Sequence, residues 1–389
     1  MRRLTLVGLL GTGLLAARPV VAGTILYATA ASQARVDGFC VREGGGLAPA
    51  ASVHVDTAGM EPRRLVVANG VLFVGELDRV EAFKIGPHGA LTPMAATKTI
   101  TSPAMEVIDM AVAADGQTLY VAQNGPDRIA AYPIAAATSR SWDFTSCIQG
   151  RVNGSYRALH IRNGLLYASE QLTPGRIAIF PINAGGSLHD LAECTTPTGK
   201  TRPEATPAIS DQQRIQRPRS FVFLDDRVYV DEVGTKRIKA FLLQADGLFP
   251  PPVKKKRLQW ERPLSRTDPV VAYVDVVLFR STVVPFRSTL LTSQFEKGRI
   301  DAYRLKPDGR LRRQPTRQTK QDVRTSPVRM AVSDDGVLYV SAGEFDRIQA
   351  FKLRQSDGLP ATTPFSETDE QTGSFPNDVA LAMLSEGCR

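Results

Sequence analysis

Short apolar runs alternate with turn residues along most of the chain. In the clearest stretch, apolar residues 65 to 68 are followed by Asn69 and Gly70 and then by the apolar residues 71 to 74. An Asn-Gly pair between two apolar runs favours a tight hairpin, because both residues tolerate positive φ angles. Similar turn pairs follow apolar runs at Asp115-Gly116, Asn163-Gly164, Asp225-Asp226 and Asp335-Gly336. The pattern predicts an all-β chain built from repeated hairpins.

A second motif places one arginine four residues before one aromatic residue, in the form Arg-(Ile/Val)-x-x-(Phe/Tyr). It recurs seven times, at Arg35, Arg79, Arg128, Arg176, Arg237, Arg299 and Arg347. The arginines are 44 to 62 residues apart, and a period of this length filled with short strands marks a β-propeller. We therefore predict a seven-bladed β-propeller of four-stranded antiparallel blades. Strands A and B form the hairpin, the motif opens strand C, and strand D follows. An arginine present in every repeat is expected to brace the blade.

The two ends of the chain predict how it is processed and how the ring closes. Residues 1 to 22 combine Arg2 and Arg3 with an apolar stretch and small residues at 20 to 22, which is typical of a signal peptide. The remaining residues, 23 to 389, form a single predicted domain that is secreted or periplasmic and has no membrane span. The mature chain starts at a B strand, and its missing A partner is found at residues 375 to 383. We expect this C-terminal strand to join the N-terminal blade and remove an exposed edge.

Four cysteines allow three pairings. The predicted closure brings Cys388 close to Cys40, which ends strand C of the first blade. We therefore predict a Cys40–Cys388 disulfide and, by the neighbouring positions of the other two, a Cys147–Cys194 disulfide.

The repeated Leu-Tyr-Val, Arg-Ile-x-Ala-Phe and Asp-Gly-x-Leu segments resemble the lactonase-type seven-bladed propellers, the 6-phosphogluconolactonase-like proteins. Members of that family carry Pro-Arg-His at the start of an A strand and Asn-Glu-Leu at the end of the next B strand. The fifth repeat has Pro218-Arg219-Ser220 and Asp231-Glu232-Val233. The resemblance implies that Arg219 and Glu232 are catalytic residues of a lactone hydrolase. Ser220 occupies the position of the histidine, which is the natural proton-transfer group near neutral pH.

His160 is the one histidine within a predicted A strand, and it is the third catalytic candidate. A histidine in a strand is more often a hydrogen-bonded packing residue, so both interpretations stay open. The four histidines lack the spacing of a transition-metal site, and we predict neither a metal nor a cofactor. Calcium bound by carboxylates and carbonyls is the one alternative left.

Further charged residues fall where A strands begin and B strands end, which is one end of each blade. The candidates for ligand binding are Arg64, Asp109, Arg157, Arg329 and Asp378 on A strands, and Glu76, Glu170 and Glu344 after B strands. Converging arginines and carboxylates can hold a small anionic ligand in a central funnel. The alternative is that these charges pair with one another as solvated rim ion pairs.

Two function classes remain. The first is a monomeric, non-catalytic module that binds a small anionic ligand or an envelope component on this face. The alternative is an enzyme that hydrolyses a sugar-acid lactone through Arg219 and Glu232. The net charge of +9 concentrates at residues 254 to 257 and 310 to 320. These segments either attract an anionic envelope surface or protect outer strands from edge pairing. They lack aromatic residues that could stack on bases, which disfavours nucleic acid as a partner.

Overall fold

The computed structural model describes residues 23–99, 106–124, 128–135, 146–149, 155–171, 175–188, 217–233, 237–249, 261–263, 273–280, 288–311, 315–319, 327–343, 346–369 and 375–388. The predicted signal peptide, Cys194, Glu344 and the basic residues 254 to 257 lie outside these ranges.

The described strands form seven antiparallel sheets, of which six have four strands and one has three. Sheet 1 contains β1 (Thr24–Ala30), β2 (Arg35–Val41), β3 (Val53–Asp56) and the C-terminal β27 (Val379–Met383). Sheet 2 contains β4 (Arg64–Ala68), β5 (Val71–Gly75), β6 (Arg79–Ile85) and β7 (Leu91–Thr99). Sheet 3 contains β8 (Glu106–Val112), β9 (Thr118–Asn124), β10 (Arg128–Pro133) and β11 (Ser146–Gln149).

The remaining four sheets follow in chain order. Sheet 4 contains β12 (Ser155–Arg162), β13 (Leu165–Gln171) and β14 (Arg176–Pro181). Sheet 5 contains β15 (Pro218–Leu224), β16 (Arg227–Glu232), β17 (Arg237–Leu242) and β18 (Glu261–Pro263). Sheet 6 contains β19 (Tyr273–Arg280), β20 (Ser288–Gln294), β21 (Arg299–Arg304) and β22 (Arg317–Gln318). Sheet 7 contains β23 (Pro327–Val332), β24 (Val337–Ala342), β25 (Arg347–Lys352) and β26 (Ser366–Glu367). Short 3₁₀ turns span Ala31–Gln33, Glu43–Gly45 and Phe295–Lys297.

The predicted hairpins between the first two strands of a sheet are confirmed. Asn69 and Gly70 join β4 to β5 with φ angles of 50° and 72°, and Asn163 and Gly164 join β12 to β13 with φ angles of 51° and 72°. Both residues of each turn lie in the left-handed region that Asn and Gly tolerate, so each turn can connect its two strands directly.

A tyrosine in the second strand of a sheet repeatedly fastens that sheet to its neighbour. The hydroxyl of Tyr120 in sheet 3 donates to the carbonyl of Gly186 in sheet 4 at 2.8 Å, and Tyr339 in sheet 7 donates to Gly45 in sheet 1 at 2.9 Å. The equivalent pairs are Tyr27 with Gly89, Tyr167 with Gly247 and Tyr229 with Gly309. The tyrosine of each of these second strands and the glycine of a turn in the neighbouring repeat thus form one recurring hydrogen bond.

The apolar core lies between successive sheets, in clusters that each join side chains from two neighbours. The first strand of each sheet in space, hereafter the inner strand, contacts the inner strand of the next sheet. The inner strands are β27, β4, β8, β12, β15, β19 and β23, and the last of these also contacts the first.

The predicted joining of the two chain ends is present in the structure. Strand β27 pairs antiparallel with β1, from Thr24 opposite Met383 to Ala28 opposite Val379. A disulfide links Cys40 to Cys388, whose Cα atoms are 5.6 Å apart. Cys147 is also disulfide-bonded, while its predicted partner Cys194 lies outside the described residues.

Candidate ligand site

Most inner strands carry a β-bulge close to their first residues. In β15 the register shifts between Pro218 and Phe221, so that Arg219 and Ser220 together oppose the single residue Asp231 of β16. A bulge breaks the regular alternation of side chains and re-aims them. It brings Arg219 and Ser220 beside Asp231. Equivalent shifts occur in β8, β12, β19 and β23.

Five charged residues at this level of the inner strands form a connected group, which we call the inner charge cluster. Its members are Arg64, Asp109, Asp275, Arg329 and Asp378. The Nη1 of Arg329 lies 3.2 Å from Oδ1 of Asp275, and its Nη2 lies 3.9 Å from Oδ1 of Asp109. The Nε of Arg64 lies 3.7 Å from the same Asp109 oxygen. The cluster therefore connects sheets 2, 3, 6 and 7.

The three aspartates of the inner charge cluster also tie each sheet to the next one. Each carboxylate accepts a backbone N–H from the following inner strand: Asp378 from Leu65 at 3.0 Å, Asp109 from Leu159 at 2.7 Å and Asp275 from Met330 at 2.9 Å. The N–H groups of Leu159 and Met330 lie beside bulges, where the regular ladder is interrupted, and these hydrogen bonds satisfy them.

Burial and mutual contact shift the pKa values within the cluster. Burial raises the pKa of Asp378 to about 6, although Arg329 and Arg64 act in the opposite direction. Burial and the positive charge of Arg329 lower the pKa of Arg64 to about 10. For Arg329, burial is outweighed by Asp275, Asp109 and Asp378, so its pKa is raised. Four of the predicted ligand-binding residues thus meet, and they neutralise one another.

The glutamates predicted on the same face occupy a different environment. Glu76, Glu170 and Glu232 are all fully buried, and each contacts a basic side chain of its own sheet. The Oε1 of Glu232 lies 3.1 Å from Nζ of Lys239, and Glu170 forms an ion pair with Arg176. In sheet 2, Oε2 of Glu76 lies 3.7 Å from Nε of Arg79, and burial raises the pKa of Glu76 to about 8. Glu344 lies outside the described residues.

Arg157 and Arg219 occupy the bulges of the adjacent inner strands β12 and β15. The Nε of Arg157 donates to Oε1 of Gln171 at 2.6 Å. Across the described part of the chain, the guanidinium of Arg219 has no hydrogen bond or ion pair. Burial, together with the positive charges of Arg329 and Arg157, lowers the pKa of Arg219. Arg219 is thus a half-buried cation whose charge is not neutralised by a contacting carboxylate.

Asp231 is a functional candidate that sequence reasoning missed. Its side chain is fully buried, and neither carboxyl oxygen has a hydrogen-bond partner in the described residues. Burial raises the pKa of Asp231 well above its ordinary value, and the carboxylates of Glu232 and Asp275 add to this, while Arg219 opposes it. Burial thus favours the neutral form of this carboxyl group, which lies across the bulge from Arg219.

Asp231 and Glu232 point to opposite faces of sheet 5, because successive residues of a strand alternate. Val230, on the same face as Glu232, packs in a cluster with Tyr167 and Ile179 of sheet 4. Asp231 therefore faces sheet 6, on which Asp275 lies. The sequence already contained this information, because residues two apart in a strand, such as Val230 and Glu232, share a face.

Ser220 and His160 complete the surroundings. The hydroxyl of Ser220 donates to Oδ1 of Asp275 at 3.3 Å. The His160 ring packs against Phe221 and Phe223, with centroid distances of 5.3 Å and 5.6 Å. Burial lowers the pKa of His160, which favours the neutral imidazole. These contacts place His160 between sheets 4 and 5 as an aromatic packing partner.

The described residues contain neither a metal-binding cluster nor a membrane-spanning helix. Within the residues described, no three His, Cys, Asp or Glu side chains converge in a way that could hold a metal ion. The same part of the chain contains no helix with the length and apolar character needed to cross a bilayer.

Comparison with known proteins identifies the class of fold. No protein-family model matches the sequence, and no curated protein matches it either. Among solved structures, the periplasmic gluconolactonase of Pseudomonas aeruginosa superposes with a TM-score of 0.69 at 14% identity, covering 93% of this chain and 99% of that one. A 6-phosphogluconolactonase-like protein of Bacteroides uniformis gives 0.68 at 15% identity, covering 93% and 99%. Its counterpart from Bacteroides fragilis gives 0.67 at 16% identity, covering 93% and 98%.

The chain therefore has the fold of the lactonase-type β-propellers, as its repeats predict. At these identities the likeness concerns the fold. The chemistry has to be argued from the side chains.

Proposed function

We propose that this protein hydrolyses a sugar-acid lactone at the group formed by Arg219, Asp231 and Ser220. The observation that carries the proposal is the unpaired guanidinium of Arg219 across the bulge from the buried, unpartnered carboxyl of Asp231, whose pKa is raised by burial. Neighbouring cations and burial make an uncompensated arginine costly, so a negatively charged or strongly polarised ligand group is its natural partner. Arg157, on the adjacent inner strand, adds a second positive charge on the same side.

The chemistry needs an anion-stabilising group and a proton donor. Water adds to the lactone carbonyl carbon, and Arg219 stabilises the negative charge that develops on the carbonyl oxygen. The ring C–O bond then breaks, and the departing ring oxygen takes the proton of Asp231. The carboxylate that results accepts a proton from the water that has added. The products are one hydroxy acid and the regenerated carboxyl group, and no cofactor is consumed.

Asp231 takes in this proposal the part that the family resemblance implies for Glu232. The reason is the contact between Glu232 and Lys239, which are 3.1 Å apart and both buried. A carboxylate held by an ammonium group is stabilised in its charged form and is a weak proton donor. Glu232 then has a structural role through its contact with Lys239 in sheet 5. The experiment below also tests the reverse assignment, in which Glu232 transfers the proton.

We further propose that the seven sheets are the blades of one closed ring formed by residues 23 to 389. The Tyr339 to Gly45 hydrogen bond between sheets 7 and 1, the β27 to β1 pairing and the Cys40–Cys388 disulfide support it. Disulfides persist in oxidising compartments, so the same bond supports a secreted or periplasmic location after removal of residues 1 to 22.

A second function, binding without turnover, is favoured by one observation. Ser220 occupies the position of the family's histidine and donates to Asp275, so the site lacks a side chain that titrates near pH 7 by itself. In that case Arg219 and Arg157 hold a small anionic ligand or an envelope component.

Turnover by the mature protein tests the proposal. Hydrolysis of a panel of aldonolactones is followed by acid release, for the wild type and for Arg219→Met, Asp231→Asn and Glu232→Gln. Arg317→Met is the matched control, because Arg317 lies on the outer strand β22 and donates to the carbonyl of Pro360. We expect activity in the wild type and control, and its loss in Arg219→Met and Asp231→Asn.

The remaining outcomes are informative in different ways. Loss in Glu232→Gln with full activity in Asp231→Asn assigns the proton transfer to Glu232. A wild type that hydrolyses no lactone, yet binds an aldonate in calorimetry with dependence on Arg219, establishes the binding module. A wild type that does neither overturns both functions.

A further inference from the structure

The hydroxyl of Ser220 has a fixed direction. Its Oγ lies 3.3 Å from Oδ1 of Asp275, and Asp275 is 5% exposed. The same carboxylate accepts from Nη1 of Arg329 at 3.2 Å and from the backbone N–H of Met330 at 2.9 Å. A carboxylate has no proton to give and can only accept hydrogen bonds. The single proton of Ser220 must therefore point at Asp275.

A serine whose proton is committed in this way presents only lone pairs to its other neighbours. Among the described residues, no donor reaches Ser220 Oγ other than through its own bond to Asp275. The backbone geometry holds the oxygen in place as well, because Ser220 is part of the bulge that faces Asp231. The result is a preorganised acceptor next to Arg219.

The neighbouring inner strands show how sheets 4 and 5 differ from the others at this position. At the equivalent level, sheets 2, 3, 6 and 7 carry charged side chains of the inner charge cluster that contact one another, and Asp378 of sheet 1 accepts the Leu65 N–H. Sheets 4 and 5 carry the small residues Ala158 and Ser220 instead. Each of these small residues directly follows an arginine, Arg157 in β12 and Arg219 in β15.

We propose that Ser220 is a specificity-determining residue that accepts a hydrogen bond from a ligand hydroxyl, with Asp275 as the positioning residue that fixes its proton. The inference rests on the proposed lactone hydrolysis. It specifies which part of the sugar-acid lactone is recognised, namely a hydroxyl close to the group held by Arg219. A site that hydrogen-bonds a substrate hydroxyl rejects the analogue lacking it, because the acceptor is then left unpaired.

The test compares two lactones with the same ring, glucono-δ-lactone and unsubstituted δ-valerolactone. The quantity is the ratio of their kcat/KM values, measured for the wild type and for Ser220→Ala. Dividing the two ratios cancels the different intrinsic reactivity of the lactones. We expect Ser220→Ala to lower the preference for the hydroxylated lactone about tenfold, the loss typical of one hydrogen bond.

Ser366→Ala is the matched control. The Ser366 hydroxyl of sheet 7 lies away from this site, where it accepts from the Leu47 N–H at 3.0 Å and donates to the Leu47 carbonyl at 3.4 Å. Its loss should therefore leave the ratio unchanged. Asp275→Asn provides the second variant. The amide must keep its oxygen towards the Met330 N–H, so its NH₂ donates to Ser220 Oγ. The serine proton is then free to point elsewhere and its oxygen is occupied, so the same ratio should fall. Circular dichroism checks that this variant is folded.

Each result has one interpretation. If Ser220→Ala slows both lactones equally while remaining folded, the specificity role is wrong and the lactonase function stands. If wild-type protein hydrolyses neither lactone, the proposed function fails and this inference fails with it. A ratio lowered equally in Ser366→Ala would also overturn the assignment, because the effect would then be one of general stability.

Discussion

Arg329 and Arg219 occupy comparable bulges on the inner strands of sheets 7 and 5, and their surroundings are opposite. Arg329 lies among Asp275, Asp109 and Asp378, which together raise its pKa. Arg219 has no contacting carboxylate in the described chain, and two other arginines help to lower its pKa. The difference teaches that a charged residue in a repeat protein is better judged by its neighbours in the adjacent repeats than by its own position. The first kind of arginine joins neighbouring sheets, and the second has no such partner among the described residues.

The largest expected effect separates these two arginines by stability. Arg329→Met removes the partner of Asp275 and leaves that carboxylate buried, which costs about 3–5 kcal/mol of unfolding free energy. Arg219→Met removes an uncompensated cation and should leave the stability unchanged or raise it. Urea unfolding at pH 7 measures both. Equal destabilisation by the two substitutions would contradict the distinction on which the site assignment depends.

The second prediction concerns activity, for which Arg219 should matter more than Arg329. Arg219→Met should reduce kcat for lactone hydrolysis about 10²–10³-fold, the usual loss when one oxyanion donor is removed. Arg219→Lys keeps the charge but loses the two-pronged geometry, so it should recover only part of the rate. Steady-state kinetics on protein shown to be folded provides the check. Full activity in Arg219→Met would exclude this arginine from the chemistry.

Buried carboxyl groups show the same contrast, now between Glu76 and Glu170. Burial raises the pKa of Glu76 from 4.5 to about 8, so the folded protein binds this proton more tightly than the unfolded chain. Stability is then greatest below about pH 4.5 and falls as the pH rises towards 8. Glu76→Gln has no proton to lose and should become more stable than the wild type as the pH rises, by about 4 kcal/mol at pH 8.

Urea unfolding at pH 5, 6, 7 and 8 tests this prediction, with Glu170→Gln as the control. Glu170 forms an ion pair with Arg176, and both side chains are buried. Its substitution leaves a buried cation without its partner and should lower the stability over the whole range. A difference between Glu76→Gln and wild type that does not grow with pH would show that Glu76 is not the group responsible.

The sequence predicted the fold well because the same contact is made several times. Tyr120 and Gly186 belong to different repeats, but tyrosine and glycine recur at these positions, so the pattern was visible without knowing their hydrogen bond. The strand exchange between the chain ends was predicted for a related reason. An A strand was missing at one end and present at the other, and β27 indeed pairs with β1.

The candidate site was less predictable, because it depends on departures from the repeat. Asp275 lies in the least regular repeat, and its partners Ser220 and Arg329 belong to two other sheets. Asp231 was passed over in favour of its neighbour Glu232, since a bulge changes which side chains meet across the A and B strands. Strand parity could have separated the two residues, whereas the contact between Ser220 and Asp275 follows only from three-dimensional packing.

The smallest expected effect concerns the arginine motif that defines the repeats. Arg347 opens β25, and its Nη1 lies 3.0 Å from Oε2 of Glu367, with side-chain exposures of 28% and 33%. Water screens a pair exposed to this degree, and holding two long side chains in one geometry costs entropy. Arg299 makes the corresponding contact with Asp301 at 3.0 Å, but that carboxylate is only 3% exposed. The Arg347 and Arg299 motifs should therefore contribute unequally to the free energy of unfolding.

We expect Arg347→Ala to lower the free energy of unfolding by about 0.2–1 kcal/mol, and Arg299→Ala to lower it more, because Asp301 is left buried without its cation. Neither substitution touches Arg219 or Asp231, so kcat/KM for lactone hydrolysis should stay at the wild-type value in both. Urea unfolding and steady-state kinetics on the same preparations decide the matter. If activity disappeared in Arg347→Ala while the unfolding midpoint stayed unchanged, Arg347 would bind the ligand as Arg219 does. The distinction between structural and ligand-binding arginines would then be wrong for this motif.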